Sequence, residues 1–223
     1  MLLPEGLPLP STTLILSDPG AGEENLLGEF VVKRIAVKKP VLYIALDNFP
    51  YDIRRDVQSH LAVRNADWSC LIFIDGYSET VGFESEDSSV VDPENLSGIG
   101  IAISDITSKL PVSLMVLDSL NTIIRKRGGQ SAMEFLRVFA ARSRQTNCLA
   151  LVAMNRKAWY PALVAQAEDI VQGVIELKVE EDVGQLHHSL RIFKMVGAKY
   201  STAWLRYDIM GGELVRAGED ETS

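Results

Sequence analysis

Three observations predict an α/β fold with a central, mostly parallel sheet flanked by helices. Short apolar runs rich in Val, Ile and Leu alternate with longer amphipathic stretches, which is the pattern of strands buried on both faces and joined by crossover helices. The 223 residues are 47% hydrophobic and 23% charged, an ordinary globular mixture long enough for one large core. Beyond Val174 the pattern changes to extended runs separated by polar, glycine-containing turns, as in antiparallel hairpins appended to the sheet.

The elements follow in order. Strands are expected at Thr12 to Leu16, Val41 to Leu46, Leu71 to Ile74, Leu114 to Leu117 and Leu149 to Met154. Helices are expected at Glu24 to Lys33, Tyr51 to Ala66, Asn95 to Leu110 and Ser131 to Gln145, the last carrying Met133, Leu136, Val138 and Ala140 near helical spacing. The hairpin region comprises Val174 to Val179, Leu190 to Met195 and a final strand from Trp204 to Ile209. Val81 to Pro93 holds seven acidic or serine residues and reads as a mobile surface loop. Residues 1–216 form one domain whose first ten residues are extended, and 217–223 an acidic disordered tail.

The formal net charge of −8 supplies no overall field toward nucleic acid or anionic lipid. Cys70 and Cys148 both lie in apolar stretches, so buried thiols are expected rather than a disulfide or metal pair, and with them a reducing, cytoplasmic setting. The N-terminal segment has no basic start and is interrupted by prolines, unlike a signal peptide. No apolar run approaches the roughly 20 uncharged residues of a membrane span, so no membrane partner is expected.

The first strand leads into Leu14-Ile-Leu-Ser-Asp-Pro-Gly-Ala-Gly-Glu-Glu-Asn. A phosphate-binding loop requires this order: buried strand, glycine-rich turn whose amides wrap phosphate, then Lys and Ser/Thr at a helix start. Aligned with G-x-x-x-x-G-K-[ST], Ser17 takes the first glycine, Asp18, Pro19, Gly20 and Ala21 the variable positions, and Gly22 the second glycine. Glu23 then falls on the lysine and Glu24 on the hydroxyl residue. The lysine's attraction is deleted, and a carboxylate about 4 Å from a phosphate charge adds roughly 4 kcal/mol of repulsion at an effective dielectric of 20. Carboxylates also simply favour a helix start, and either way poor ATP binding is expected. Val112-Ser-Leu-Met-Val-Leu-Asp-Ser is an apolar strand ending in Asp118, the position from which a carboxylate holds Mg²⁺ in a Walker B motif.

With these residues in hand, the chain resembles the KaiC/RadA-like branch of the RecA-fold P-loop ATPases, especially archaeal single-domain members, over nearly its whole length. The resemblance implies the RecA-like fold and a degenerate nucleotide site. Asp47-Asn48 stands where the family carries a Glu-Glu pair that activates the attacking water, which makes Asp47 a vestigial base. Lys194, in Leu190-Arg-Ile-Phe-Lys-Met-Val-Gly, resembles the first basic residue of the family's K-x-R-G segment, which reaches a neighbouring subunit's phosphates; Val196 replaces the arginine. Asn155 occupies a strand end where relatives sense the γ-phosphate, though its side chain also suits a loop cap.

Two basic clusters, Arg125-Lys126-Arg127 and Arg156-Lys157 with the following Trp159 and Tyr160, are expected in loops at the carboxyl ends of strands. Such loops face DNA in recombinases of this superfamily, so single-stranded DNA is a possible partner, against which the net charge weighs. His187 and His188 are expected as adjacent surface histidines. The combined expectation is a RecA/KaiC-like pseudo-ATPase acting as a regulatory or assembly subunit, in a homo-oligomer or with an active RecA-fold paralogue. No cofactor is expected, with ATP and Mg²⁺ only if the degenerate site still works. The alternatives are a weak or unconventional ATPase completed by a neighbouring subunit and a DNA-binding RadA paralogue in repair.

Overall fold

A computed structural model describes residues 6–60, 66–87 and 89–218. Among the described residues, five helices and nine strands follow one another from β1 (Ser11–Ser17), α1 (Glu23–Ile35), β2 (Val41–Ala45), α2 (Pro50–Ser59) and β3 (Leu71–Asp75) to α3 (Leu96–Lys109), β4 (Leu114–Asp118), α4 (Leu120–Gln145), β5 (Leu149–Asn155) and α5 (Pro161–Ile170). Then come β6 (Gly173–Asp182), β7 (Gln185–Met195), β8 (Leu205–Met210) and β9 (Glu213–Arg216). They form one sheet of order β3-β2-β4-β5-β1-β6-β7-β8-β9. The run from β3 to β6 is parallel, and β7 to β9 continue it antiparallel.

The parallel strands read as unbroken apolar runs because both faces are covered. On β1, Leu14 and Leu16 enter a core completed by Ile99 and Ile103 of α3, Leu136 and Phe139 of α4 and Leu163 of α5. Ile15 points to the opposite core, with Leu27, Val31 and Ile35 of α1 and Val57 of α2. This period-two division of one strand between two helical layers sets the three-layer architecture.

The five predicted parallel strands are present within a residue or two. The helix expected from Tyr51 to Ala66 ends at Ser59, and 61–65 lie outside the described residues, as do 1–5 of the expected N-terminal extension and 219–223 of the expected tail. The helix expected from Ser131 begins at Leu120, capped by the Ser119 side chain, and is interrupted at Gly128, whose φ of 79° is non-helical. Arg125 to Arg127 therefore lie in a helix rather than a loop, a correction the glycine pair Gly128-Gly129 concealed. Helix α5, which starts with Pro161 in its first turn, and strand β9 were not expected. The acidic stretch after Val81 is tied to the sheet: the Asp75 amide donates to the Ser89 carbonyl (2.8 Å) and the Ser85 hydroxyl to Asp75 Oδ2 (2.6 Å). Asp75 sits at the end of an edge strand, and its carboxylate and backbone recruit the loop. Cys148 is buried and Cys70 half-buried, both as free thiols.

Gly173 shows why a small residue opens β6. A Cβ there would stand 2.7 Å from Thr13 Oγ1 and 2.8 Å from Met195 Cε. Gly173→Ala should therefore destabilise the fold by about 1–3 kcal/mol through forced separation of β1 and β7, measured as a lowered urea midpoint with an unchanged slope.

Candidate functional site

The site gathers at the carboxyl ends of β1, β2 and β4, where open parallel sheets place ligands. Strand β1 is buried along its whole length, so the turn from Ser17 to Gly22 is held at its base. The Asp18 amide donates to the Leu177 carbonyl of β6 (3.0 Å) and the Ala21 amide to the Asp18 carbonyl (3.1 Å). Gly20 and Gly22 have φ of 77° and 73°, the left-handed conformation a phosphate loop uses, which explains both glycines. Helix α1 then begins at Glu23 with no side chain capping it.

The carboxylate at the lysine position points inward. Ser17 Oγ donates to Glu23 Oε2, and the Glu23 carboxyl is pushed up to about 7, first by burial and then by the charges of Asp118, Glu24 and Asp47, with the Ser17 bond opposing. Asp118 is 6% exposed. It accepts the Tyr43 hydroxyl (2.8 Å) and, at 3.5 Å, the Asn48 amide. Burial raises it to about 6, aided by Asp47 and Glu24 and opposed by the bonds from Tyr43 and Asn48. The same burial and the Asp118 charge hold the Tyr43 phenol well above its usual range.

Asp47 lies two residues beyond β2 and is clamped. The hydroxyls of Ser119 and Thr122 donate to it, and Arg125 Nη2 approaches Oδ1 to 2.6 Å. A carboxylate so engaged is an ion-pair partner, with its lone pairs directed at protein groups rather than at a water. Asn155 caps the turn after β5 by accepting the Lys157 amide (2.9 Å), while its own amide donates to Asn121 Oδ1 (3.1 Å), which also accepts Trp159 Nε1 (2.8 Å).

The basic residues are spent on acids of the same chain. Lys157 Nζ is 3.0 Å from Asp18 Oδ2, Lys126 Nζ is 3.2 Å from Glu94, and Arg156 and Arg191 both pair with buried Glu176. Arg127 borders a shallow groove between α3 and α4 with Glu94 and Glu134. Lys194 is not brought to the loop: it lies beside Val174, near the start of β6, and donates to the Glu168 carbonyl (2.8 Å). Among the described residues, no group of three His, Cys, Asp or Glu side chains is placed to hold a metal ion.

The β8–β9 hairpin lies over the loop. The Tyr207 hydroxyl donates to the Ala21 carbonyl, and a Cβ on Gly22 would stand 2.6 Å from Ile209 Cδ1. The Asn25 amide donates to the Gly212 carbonyl (3.0 Å), and the Leu214 amide to Glu29 (2.7 Å). His188, expected at the surface, is half-buried, with Nε2 donating to the Gly20 carbonyl (3.2 Å) and its ring 5.6 Å from that of Tyr207. Beneath the hairpin a cavity of about 330 Å³ opens between Glu24, Tyr43, Asp52, Val57, His60 and Asp118. Tyr43, His188, Tyr207 and Ile209 escaped the sequence reading because no local spacing joins them to a loop more than 20 residues away in the chain.

The sequence pattern of the KaiC ATPase family matches residues 1–222. The chain belongs to that family. Among curated relatives, a UPF0273 protein of Pyrococcus furiosus is 24% identical, with 93% of this chain and 86% of that protein covered. A UPF0273 protein of Sulfurisphaera tokodaii is 22% identical over 88% of this chain and 71% of that protein. The crystal structure of a KaiC-like protein from Pyrococcus horikoshii superimposes with a TM-score of 0.78 at 20% identity, covering 96% of this chain and 93% of that one. The RecA-like fold expected from the sequence is thus the fold of the KaiC family, and no helix among the described residues is long and apolar enough to cross a membrane.

The raised carboxyls make stability pH-dependent. Their folded pKa values exceed the unfolded ones, so their protonation favours the native state fully below the unfolded pKa and the advantage is lost as pH rises through the folded value. For Glu23 that window runs from about 4.5 to about 7 and corresponds to about 3 kcal/mol. The thermal midpoint of Glu23→Gln should consequently rise relative to the wild type as pH increases across this window, with the two converging at its acid end. Parallel curves in a pH series of calorimetric melts would refute this assignment.

Proposed function

We propose that this KaiC-family chain is a pseudo-ATPase, with nucleotide binding weak or lost, that acts as a regulatory or assembly subunit through protein contacts. The observation that carries the reading is Glu23 at the phosphate-loop lysine position, turned inward and bonded to Ser17. A Mg²⁺-nucleotide needs a cation and a hydroxyl there. Glu23 and Glu24 present acids instead, and neither supplies the positive charge that a phosphate requires. The residues present do not fit the group that the family's ATPases hold.

Three further features support the same reading. Asp47 is locked by Arg125, Ser119 and Thr122. Ile209 and Tyr207 pack on the loop where a ligand would approach its backbone. Lys194 donates to the Glu168 carbonyl of α5. The framework of strands and helices is kept while each charged nucleotide-handling position is changed or occupied, which suits a domain retained for its surfaces.

A calorimetric titration with Mg²⁺-ATP and Mg²⁺-ADP tests the proposal beside Glu23→Lys, Glu24→Thr. No heat is expected from the wild type, and binding strengthened at least about a hundredfold is expected in the double variant, as removal of roughly 4 kcal/mol of repulsion implies. Micromolar binding by the wild type would overturn the proposal.

A further inference from the structure

The cavity beneath the β8–β9 hairpin has the size of a small-molecule site, about 330 Å³ against a usual range of roughly 300–1,000 Å³. Four carboxylates line it: Glu24 of α1, Asp52 and Asp56 of α2, and Asp118 at the end of β4. Among the described residues no Lys or Arg lines it, and Ile53 and Val57 of α2 add apolar wall.

Two buried side chains on this lining have acceptor capacity left over. Asp118, 6% exposed, spends Oδ2 on Tyr43 and Asn48, and among the described residues nothing donates to its Oδ1. His60 is also 6% exposed, and its Nδ1 stands 3.2 Å from Glu213 Oε1. A carboxylate only accepts, so the neutral ring donates through Nδ1 and keeps a lone pair on Nε2. Among the described residues nothing donates to that nitrogen, which faces Gly212, another lining residue, 3.7 Å from where a Cβ would stand. A buried acceptor without a donor is costly, and a ligand that brings N–H groups relieves the cost. Arg55 pairs with Asp52 (2.8 Å) and Asp56 (3.3 Å), but its side chain is 60% exposed, and such solvent-screened pairs yield readily to a competing cation.

We propose that this cavity binds a short aliphatic diamine or polyamine. One ammonium group sits at Asp118 and Glu24, another at Asp52 and Asp56, and the methylene chain lies against Ile53 and Val57, with His60 Nε2 accepting one of the N–H groups. Separated charges on an apolar chain match separated acids on an apolar wall. A compact metal ion matches them poorly, since among the described residues no three His, Cys, Asp or Glu side chains are placed to hold one. The proposal rests on the reading that the loop after β1 no longer holds a nucleotide, and it gives that end of the sheet a ligand of opposite charge.

Calorimetric titration of the full chain with putrescine and with spermidine tests the assignment, beside butylamine, which carries one charge on a similar chain, and Mg²⁺. Both polyamines should bind at least about tenfold more tightly than butylamine, as one additional charge-assisted contact implies. Glu24→Gln, His60→Phe, and the pair Asp52→Asn with Asp56→Asn should each weaken putrescine binding about tenfold. Glu84→Gln with Glu86→Gln, exposed acids outside the cavity, should leave it unchanged. The ring nitrogens of His60, followed by NMR in the unsubstituted protein, should shift on adding putrescine, a readout that no folding defect in a variant can mimic. Absence of binding, equal binding of butylamine or Mg²⁺, an unmoved His60, or an affinity untouched by the cavity substitutions overturns the proposal. Silence toward the amines leaves the pseudo-ATPase reading standing, whereas micromolar Mg²⁺-ATP binding removes that reading and this one with it, so the two failures are told apart.

Discussion

Everything in this molecule is referred to β1, which lies between β5 and β6 in parallel register and is buried from end to end. Its alternate residues feed both cores, so α1 on one face and α3, α4 and α5 on the other take their positions from the same seven residues. A strand shared in this way cannot slip by one residue without exchanging its faces. The turn that leaves it is fixed accordingly, with the Asp18 amide spent on β6. The phosphate-loop geometry thus follows from sheet packing.

On that fixed backbone, charge has been reversed. Loop amides and a helix start attract anions, and here the anions are part of the chain. Glu23 turns in toward Ser17; burial and the charges of Asp118 and Asp47 raise its proton affinity, and burial and the Asp47 charge raise that of Asp118. Lys157, after β5, pairs with Asp18 of the loop, and Arg125 of α4 pairs with Asp47. Of the basic clusters that resembled a nucleic-acid surface along the chain, Arg125, Lys126, Arg156 and Lys157 pair with acids of the same chain while their side chains stay 40–62% exposed.

The β8–β9 hairpin adds a second layer of closure. It reaches the loop through Tyr207 and Ile209, and reaches α1 and α2 through Leu214 and the Glu213 contact with His60 (3.2 Å). Its cover is built from side-chain to main-chain hydrogen bonds, the contact of Ile209 with Gly22 and the carboxylates of Glu29 and Glu213.

By itself the sequence determined the parallel strands, the turn after β1, the replacement of its lysine by Glu23 and the position of Asp118, because each is a local pattern: an apolar run, a glycine spacing, a residue at a fixed offset. It also marked the change to antiparallel strands after Gly173. It did not contain the clamp on Asp47, the Glu176 ion pairs, the seat of Ile209 on Gly22, or Lys194's turn toward Glu168. The pair Gly128-Gly129 signals a break in sequence, whereas helix α4 runs from Leu120 to Gln145 and is interrupted only at Gly128. These features join residues distant along the chain, and their energies depend on burial and on ångström-scale distance, quantities that exist only once the sheet has brought the strand ends together.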